Sequence, residues 1–117
     1  MSQVPSDNER RRHIRYPVRT YARLHHGNQQ WETHLLDMSV SGARLALLDE
    51  HLLKAGDHVS LIVATDEISL AGESYQQIHL QGTLVHLREH LLGVAYEPAS
   101  PRDEQLLNIY LAHTEQN

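Results

Sequence analysis

Residues 9–19, ERRRHIRYPVR, gather five arginines and a histidine into eleven positions of the chain. A guanidinium is a planar fork of donors, so it matches groups that present paired acceptors, such as a phosphate or the outer edge of guanine. Several such forks converging on one small ligand give affinity and selectivity together. A second stretch, DMSVSG at 37–42, carries different chemistry. Asp37 only accepts hydrogen bonds, Ser39 donates and accepts, and Gly42 permits backbone geometry or a close approach closed to other residues. Taken singly, the arginine run also reads as a solvated or nonspecific anion-binding tail, and DMSVSG as an ordinary turn of turn-favouring residues.

Charge distribution narrows the ligand class. The chain has 117 residues and a formal net charge of −5. Residues 1–23 hold six of the ten Lys and Arg against only Asp7 and Glu9, so the remainder carries four bases and thirteen acids. A basic arm on an acidic body favours a small, localised anion. A nucleic-acid backbone needs positive charge spread along a face, and single-stranded recognition also needs aromatic platforms. Phenylalanine is absent and aromatics total 5%. No nucleic-acid partner is expected.

Other chemistries find little support. Without cysteine there are no disulfides and no thiolate sites. Ten histidines invite a metal reading, but His25-His26 lies in a turn region and His86 and His90 are four apart in a strand region. No HExxH grouping occurs. No catalytic role is expected, since Ser39 lacks the context of an activated nucleophile and no glycine-rich loop opens a helix. Trp31 is read as packing. No apolar run is long enough for a membrane span and the N-terminus has no apolar segment of a secretory signal, so membrane insertion is not expected and the expected location is cytoplasmic.

These groups need elements to position them. Residues 1–9 read as a flexible lead-in and 10–19 as an arginine arm ending in Tyr16-Pro17. From about 20 to 97 the chain reads as short strands. TYARLHH, a Gly27-Asn28 turn and WETHLLDM form a hairpin. GARLALL places Ala43, Leu45 and Leu47 on one side, and HVSLIVA does the same with Val59, Leu61 and Val63. EISLAGESYQQ, residues 67–77, reads as a long connection. IHLQGTLVHLR and LLGVAYE form a second hairpin turning near Glu89-His90. The spacing predicts an antiparallel sheet curled into a small barrel. A helix over about 101–114 follows, with Ser100 as N-cap, Pro101 at its first position and Asp103 and Glu104 in its first turn. Leu106, Leu107, Tyr110 and Leu111 make its apolar stripe. The fold class is thus all-β with a C-terminal helix.

Arg11-Arg12-His13-Ile14-Arg15 followed by Asp37-Met38-Ser39-Val40-Ser41-Gly42 resembles the paired RxxxR and [D/N]xSxxG pattern of the PilZ domain, a bacterial receptor family for cyclic di-GMP. The resemblance extends over nearly the whole chain, through WETHLLDMSVSG, AGDHVSL, LLGVAYE and the closing helix. It is similar above all to stand-alone members, in which the domain is the entire protein. The resemblance implies a six-stranded antiparallel PilZ-type β-barrel and no cofactor, with cyclic di-GMP as ligand. It assigns phosphate and guanine contacts to Arg11 and Arg15, a guanine contact to Asp37 and Ser39, and the shape of the turn to Gly42. Members with an arginine directly before RxxxR tend to bind an intercalated pair of ligands; Arg10 holds that position here, and Arg12 adds a nearby cation. A carboxylate at 37 accepts from guanine N1–H and N2–H2, which arginine cannot do. Adenine would leave those groups unpaired, at about 1–3 kcal/mol per lost partner.

One position departs from the pattern. Similar members carry a tryptophan in the penultimate strand that stacks on an exposed guanine, and here His86 takes that place, with less area and a charge that depends on pH. Arg88, two residues on, is a candidate to stack or to meet a phosphate. The implied mechanism orders the arm on binding, as phosphates offset repulsion among its arginines, and so changes the surface offered to an unidentified downstream protein. The rival expectation is a ligand-independent adaptor for a protein partner.

Overall fold

The protein is described here by a computed structural model covering residues 14–116; Arg10, Arg11 and Arg12 fall outside the described residues. Six strands follow in order: β1 Tyr16–His26, β2 Gln29–Met38, β3 Gly42–Ala46, β4 His58–Leu70, β5 Glu73–Arg88 and β6 Leu91–Pro98. They close an antiparallel barrel in the order β1-β2-β3-β6-β5-β4, with β1 and β4 completing the ring. A helix, α1, spans Pro101–Gln116.

Alternation along the strands builds the interior, since successive side chains point to opposite faces. Leu24 on β1, Leu35 on β2, Leu45 on β3, Leu61 on β4, Leu80 on β5 and Leu92 on β6 are each at most 2% exposed. Leu47, just past β3, is buried too, and its N–H donates to His90 O at 2.9 Å. Leu106, Leu107 and Leu111 of α1 close against this core, as the helical stripe predicts. No helix among the described residues is long and apolar enough to cross a membrane.

The turn chemistry sets the hairpins. Gly27 between β1 and β2 adopts φ 60°, a conformation that glycine reaches without steric cost. Ser100 Oγ accepts the Asp103 N–H at 3.1 Å and donates to Asp103 Oδ2 at 2.6 Å, capping α1. Asp103 Oδ1 then accepts the His79 N–H of β5 at 2.9 Å, so the same cap fastens the helix to the barrel.

Two boundaries differ from expectation. Residues 67–77 are not a connection: β4 runs to Leu70 and β5 starts at Glu73, joined by the two-residue turn Ala71-Gly72. Both turn residues have positive φ, 54° and 82°, the twist a tight hairpin requires. An alanine in that conformation is disfavoured by about 1–2 kcal/mol, so its residue type hid the turn. At the other end, β1 begins at Tyr16, so Tyr16–Arg19 belong to the barrel and not to an arm. A register irregularity between Pro17 and Thr20 marks their entry into the sheet.

Candidate ligand-binding groove

Two β-bulges put the functional side chains on the outer face. On β2, Leu35 pairs with Leu45 and Asp37 with Arg44, so Leu36 is the extra residue. Strict alternation from the buried Leu35 would turn Asp37 toward the core; the bulge turns it outward beside Arg44. On β5, Leu84 pairs with Val94 and His86 with Gly93, making Val85 the extra residue. By the same logic the bulge swings His86 and Arg88 out of the barrel.

Asp37 is the electrostatic centre of this face. Its Oδ1 accepts from Arg15 Nη1 at 3.1 Å. Its Oδ2 accepts from Arg44 Nε at 2.7 Å and lies 2.7 Å from Arg44 Nη2. The aspartate side chain is 10% exposed, while those of Arg15 and Arg44 are 49% and 58% exposed. One carboxylate therefore holds two guanidiniums, and the cluster keeps a net positive charge facing solvent. Arg44 was missed by sequence reasoning, because only the β2–β3 register brings it opposite Asp37.

The bend between β2 and β3 is internally bonded. Ser39 is 2% exposed. Its Oγ accepts the N–H groups of Ser41 and Gly42, each at 3.2 Å, and its own N–H donates to Gly42 O at 2.8 Å. The hydroxyl is thus committed to the shape of the bend. Tyr96 of β6 reaches in beneath, donating its hydroxyl to Ser39 O at 2.6 Å and lying 2.9 Å from Gly42 O. Burial pushes the Tyr96 phenol well above its ordinary value, and the opposing pull of the Arg15 charge is smaller, so it stays a neutral donor. Gly42 takes part in the bend through its N–H and its O, and it meets a second need as well. A Cβ there would lie 2.9 Å from Val94 O, so the residue is required by the close approach of β3 to β6.

Arg15, Arg44, His86 and Arg88 open onto one groove of about 560 Å3, whose lining also includes Gly42 and Gly93. Cross-strand pairing explains the convergence. Arg44 faces Gly93, and Gly93 faces His86, in a row across β3, β6 and β5. Val85 and Leu91, 43% and 45% exposed, add apolar wall. A larger cleft of about 1030 Å3, reaching from Ser41 past Thr83 and Gln81 to His25, has no arginine in its lining among the described residues. The structure thus unites Arg15, Asp37, Ser39, Gly42, His86 and Arg88 on one side of the barrel.

A family model described as the PilZ domain matches residues 9–113. Among solved structures, the chain is similar to the Bacillus subtilis inhibitor of motility MotI/DgrA, with TM-score 0.69 and 16% identity, over 97% of this chain and 56% of that one. It is also similar to the PilZ domain of CeSA from a cellulose synthesizing bacterium, with TM-score 0.65 and 15% identity, over 89% of this chain and 99% of that one. These likenesses speak to the fold, and this chain spans little more than half the length of MotI/DgrA. No curated protein matches it. With the family model covering the arginine segment, the bend, all six strands and most of α1, this chain belongs to the PilZ domain family.

Proposed function

We propose that this chain is a non-catalytic receptor for cyclic di-GMP, binding it in the groove between Arg15, Arg44, His86 and Arg88. The observation that carries the reading is the 3.1 Å contact between Arg15 Nη1 and Asp37 Oδ1, which joins the last arginine of RxxxR to the first residue of DxSxxG. Two segments 22 positions apart meet at one cation-rich site. Arginine forks suit the ligand's phosphates and guanine O6 and N7, while the apolar wall at Val85 and Leu91 suits the faces of its bases.

The residues divide the work. Arg15 and Arg88 supply donors at the rim, and His86 supplies a small flat platform. Asp37 has about four lone-pair positions, of which the two arginines take up to three, so one on Oδ1 remains for a guanine N–H. Ser39 and Gly42 shape the bend that presents Asp37. Arg10, Arg11 and Arg12 precede Arg15 closely enough in sequence to close over the same ligand, and an intercalated pair would bring enough phosphate to engage them all. Ordering of that arm on binding then alters the surface met by a downstream protein. Titration calorimetry with cyclic di-GMP tests this. Saturable binding, with stoichiometry of one or two ligands per chain, supports it; an NMR spectrum unchanged by the ligand would instead favour the ligand-independent adaptor.

A further inference from the structure

Arg44 belongs to neither motif, yet it makes the tighter contact with Asp37. We propose that Arg44 is a further ligand-binding residue of the groove, gripping a pair of acceptor atoms on the bound nucleotide, and that Asp37 is the positioning residue that holds it there. The proposal rests on the cyclic di-GMP reading and adds a residue to it.

Geometry supports this assignment. Arg44 meets Asp37 Oδ2 through Nε and Nη2, both at 2.7 Å, and these two donors on one oxygen anchor the inner edge of the guanidinium. Of its five N–H donors, the Nη1 pair and one on Nη2 are left over. The buried carboxylate takes the inner edge of the group, and with 58% of the side chain exposed the outer edge faces solvent. A long, flexible side chain ordinarily loses rotamer freedom when it grips a ligand; here much of that loss is already incurred in the free protein, which favours affinity. Charge points the same way. Among the described residues, one carboxylate between two guanidiniums leaves the cluster short of an anion. Arg23, by contrast, has Glu32 at 3.8 Å as a one-to-one partner on another part of the barrel.

The position suits a ligand contact. Arg44 stands across Gly93 from His86, and both line the groove. A nucleotide lying over Gly93 has the imidazole on one flank and the guanidinium on the other. The acceptor pair is either two phosphate oxygens or the O6 and N7 of a guanine, and both match the same fork.

Calorimetry on the parent, Arg44→Ala, Arg44→Lys and Arg23→Ala tests the assignment. Arg44→Ala is expected to weaken cyclic di-GMP binding roughly 10- to 100-fold, the loss of a charged hydrogen-bonding partner. Arg44→Lys should recover only part of it, because an ammonium lacks the fork, and Arg23→Ala should bind as the parent does. Parental affinity in Arg44→Ala, or full recovery in Arg44→Lys, overturns the proposal. NMR of the Arg44 Nη–H groups, the donors that Asp37 leaves over, during titration with pyrophosphate and, separately, guanosine identifies the acceptor pair: a shift with the first means phosphate, a shift with the second means the base edge. If the parent fails to bind cyclic di-GMP, the functional reading falls, and the same NMR signal then decides for Arg44 alone. A resonance that neither probe moves refutes its role.

Discussion

The imidazole of His86 lies in the space that a side chain at Gly93 would occupy. A Cβ built on Gly93 would sit 3.2 Å from both Cβ and Cδ2 of the histidine, its partner across the β5–β6 ladder. The glycine therefore gives the ring a seat on the sheet, flat enough to serve as a stacking platform despite its small area.

That relationship predicts the effect of Gly93→Ala. The histidine is exposed and can shift by a few tenths of an ångström, so the barrel should fold with its melting temperature little changed. The ring should be displaced, and cyclic di-GMP binding should weaken several-fold. Calorimetry beside a thermal melt separates the two; loss of the fold, or unchanged affinity, contradicts the account of the seat.

Gly42→Ala should behave in the opposite way. Its Cβ would meet Val94 O at 2.9 Å, a backbone atom in a paired strand that cannot swing aside. The expected cost is roughly 1–3 kcal/mol of stability, read from denaturant unfolding, with binding impaired through the distorted bend.

Tyr96→Phe should loosen the bend from below. The substitution removes the donor to Ser39 O, whose residue is buried, and destabilises by about 1–3 kcal/mol. The amide of Ser41, which lies in the bend, should then exchange its hydrogen faster relative to the parent, while amides in β4 keep their protection. Equal exchange throughout would show that the phenol does not brace the bend.

Much of the fold was legible and the reason is uniform: period-two burial in β3, β4 and β6, a Gly27-Asn28 turn, and a capped helix each follow from local residue types. The site was legible in part, since Arg15 and Asp37 stand in motifs whose chemistry is visible one residue at a time. What failed to show was everything that depends on register. Arg44 is an ordinary strand residue until β2 is laid against β3. The bulges at Leu36 and Val85 leave no periodic trace, yet they decide that Asp37 and His86 face outward. The Ala71-Gly72 turn was hidden because its first residue takes a backbone shape that alanine rarely adopts.

Ser100→Ala tests the junction of helix and barrel. Removing the cap hydroxyl should cost about 0.5–2 kcal/mol. It also frees Asp103 to turn from the His79 N–H, so the loss should register in the His79 amide as well as in the first turn of α1. A change confined to the helix would show that Asp103 fastens the barrel without help from Ser100.

The closed ring of strands carries a consequence for assembly. Within the barrel body every strand already has a neighbour on each flank, β1 and β4 included, so the main-chain donors and acceptors there are spoken for. Recruitment by adding a foreign strand to an open sheet margin is unavailable to that body, as is runaway stacking of copies into fibrils along such a margin. On the proposed reading, a protein that senses the bound nucleotide would meet that body through side chains on a curved wall, where a change of one guanidinium alters the message.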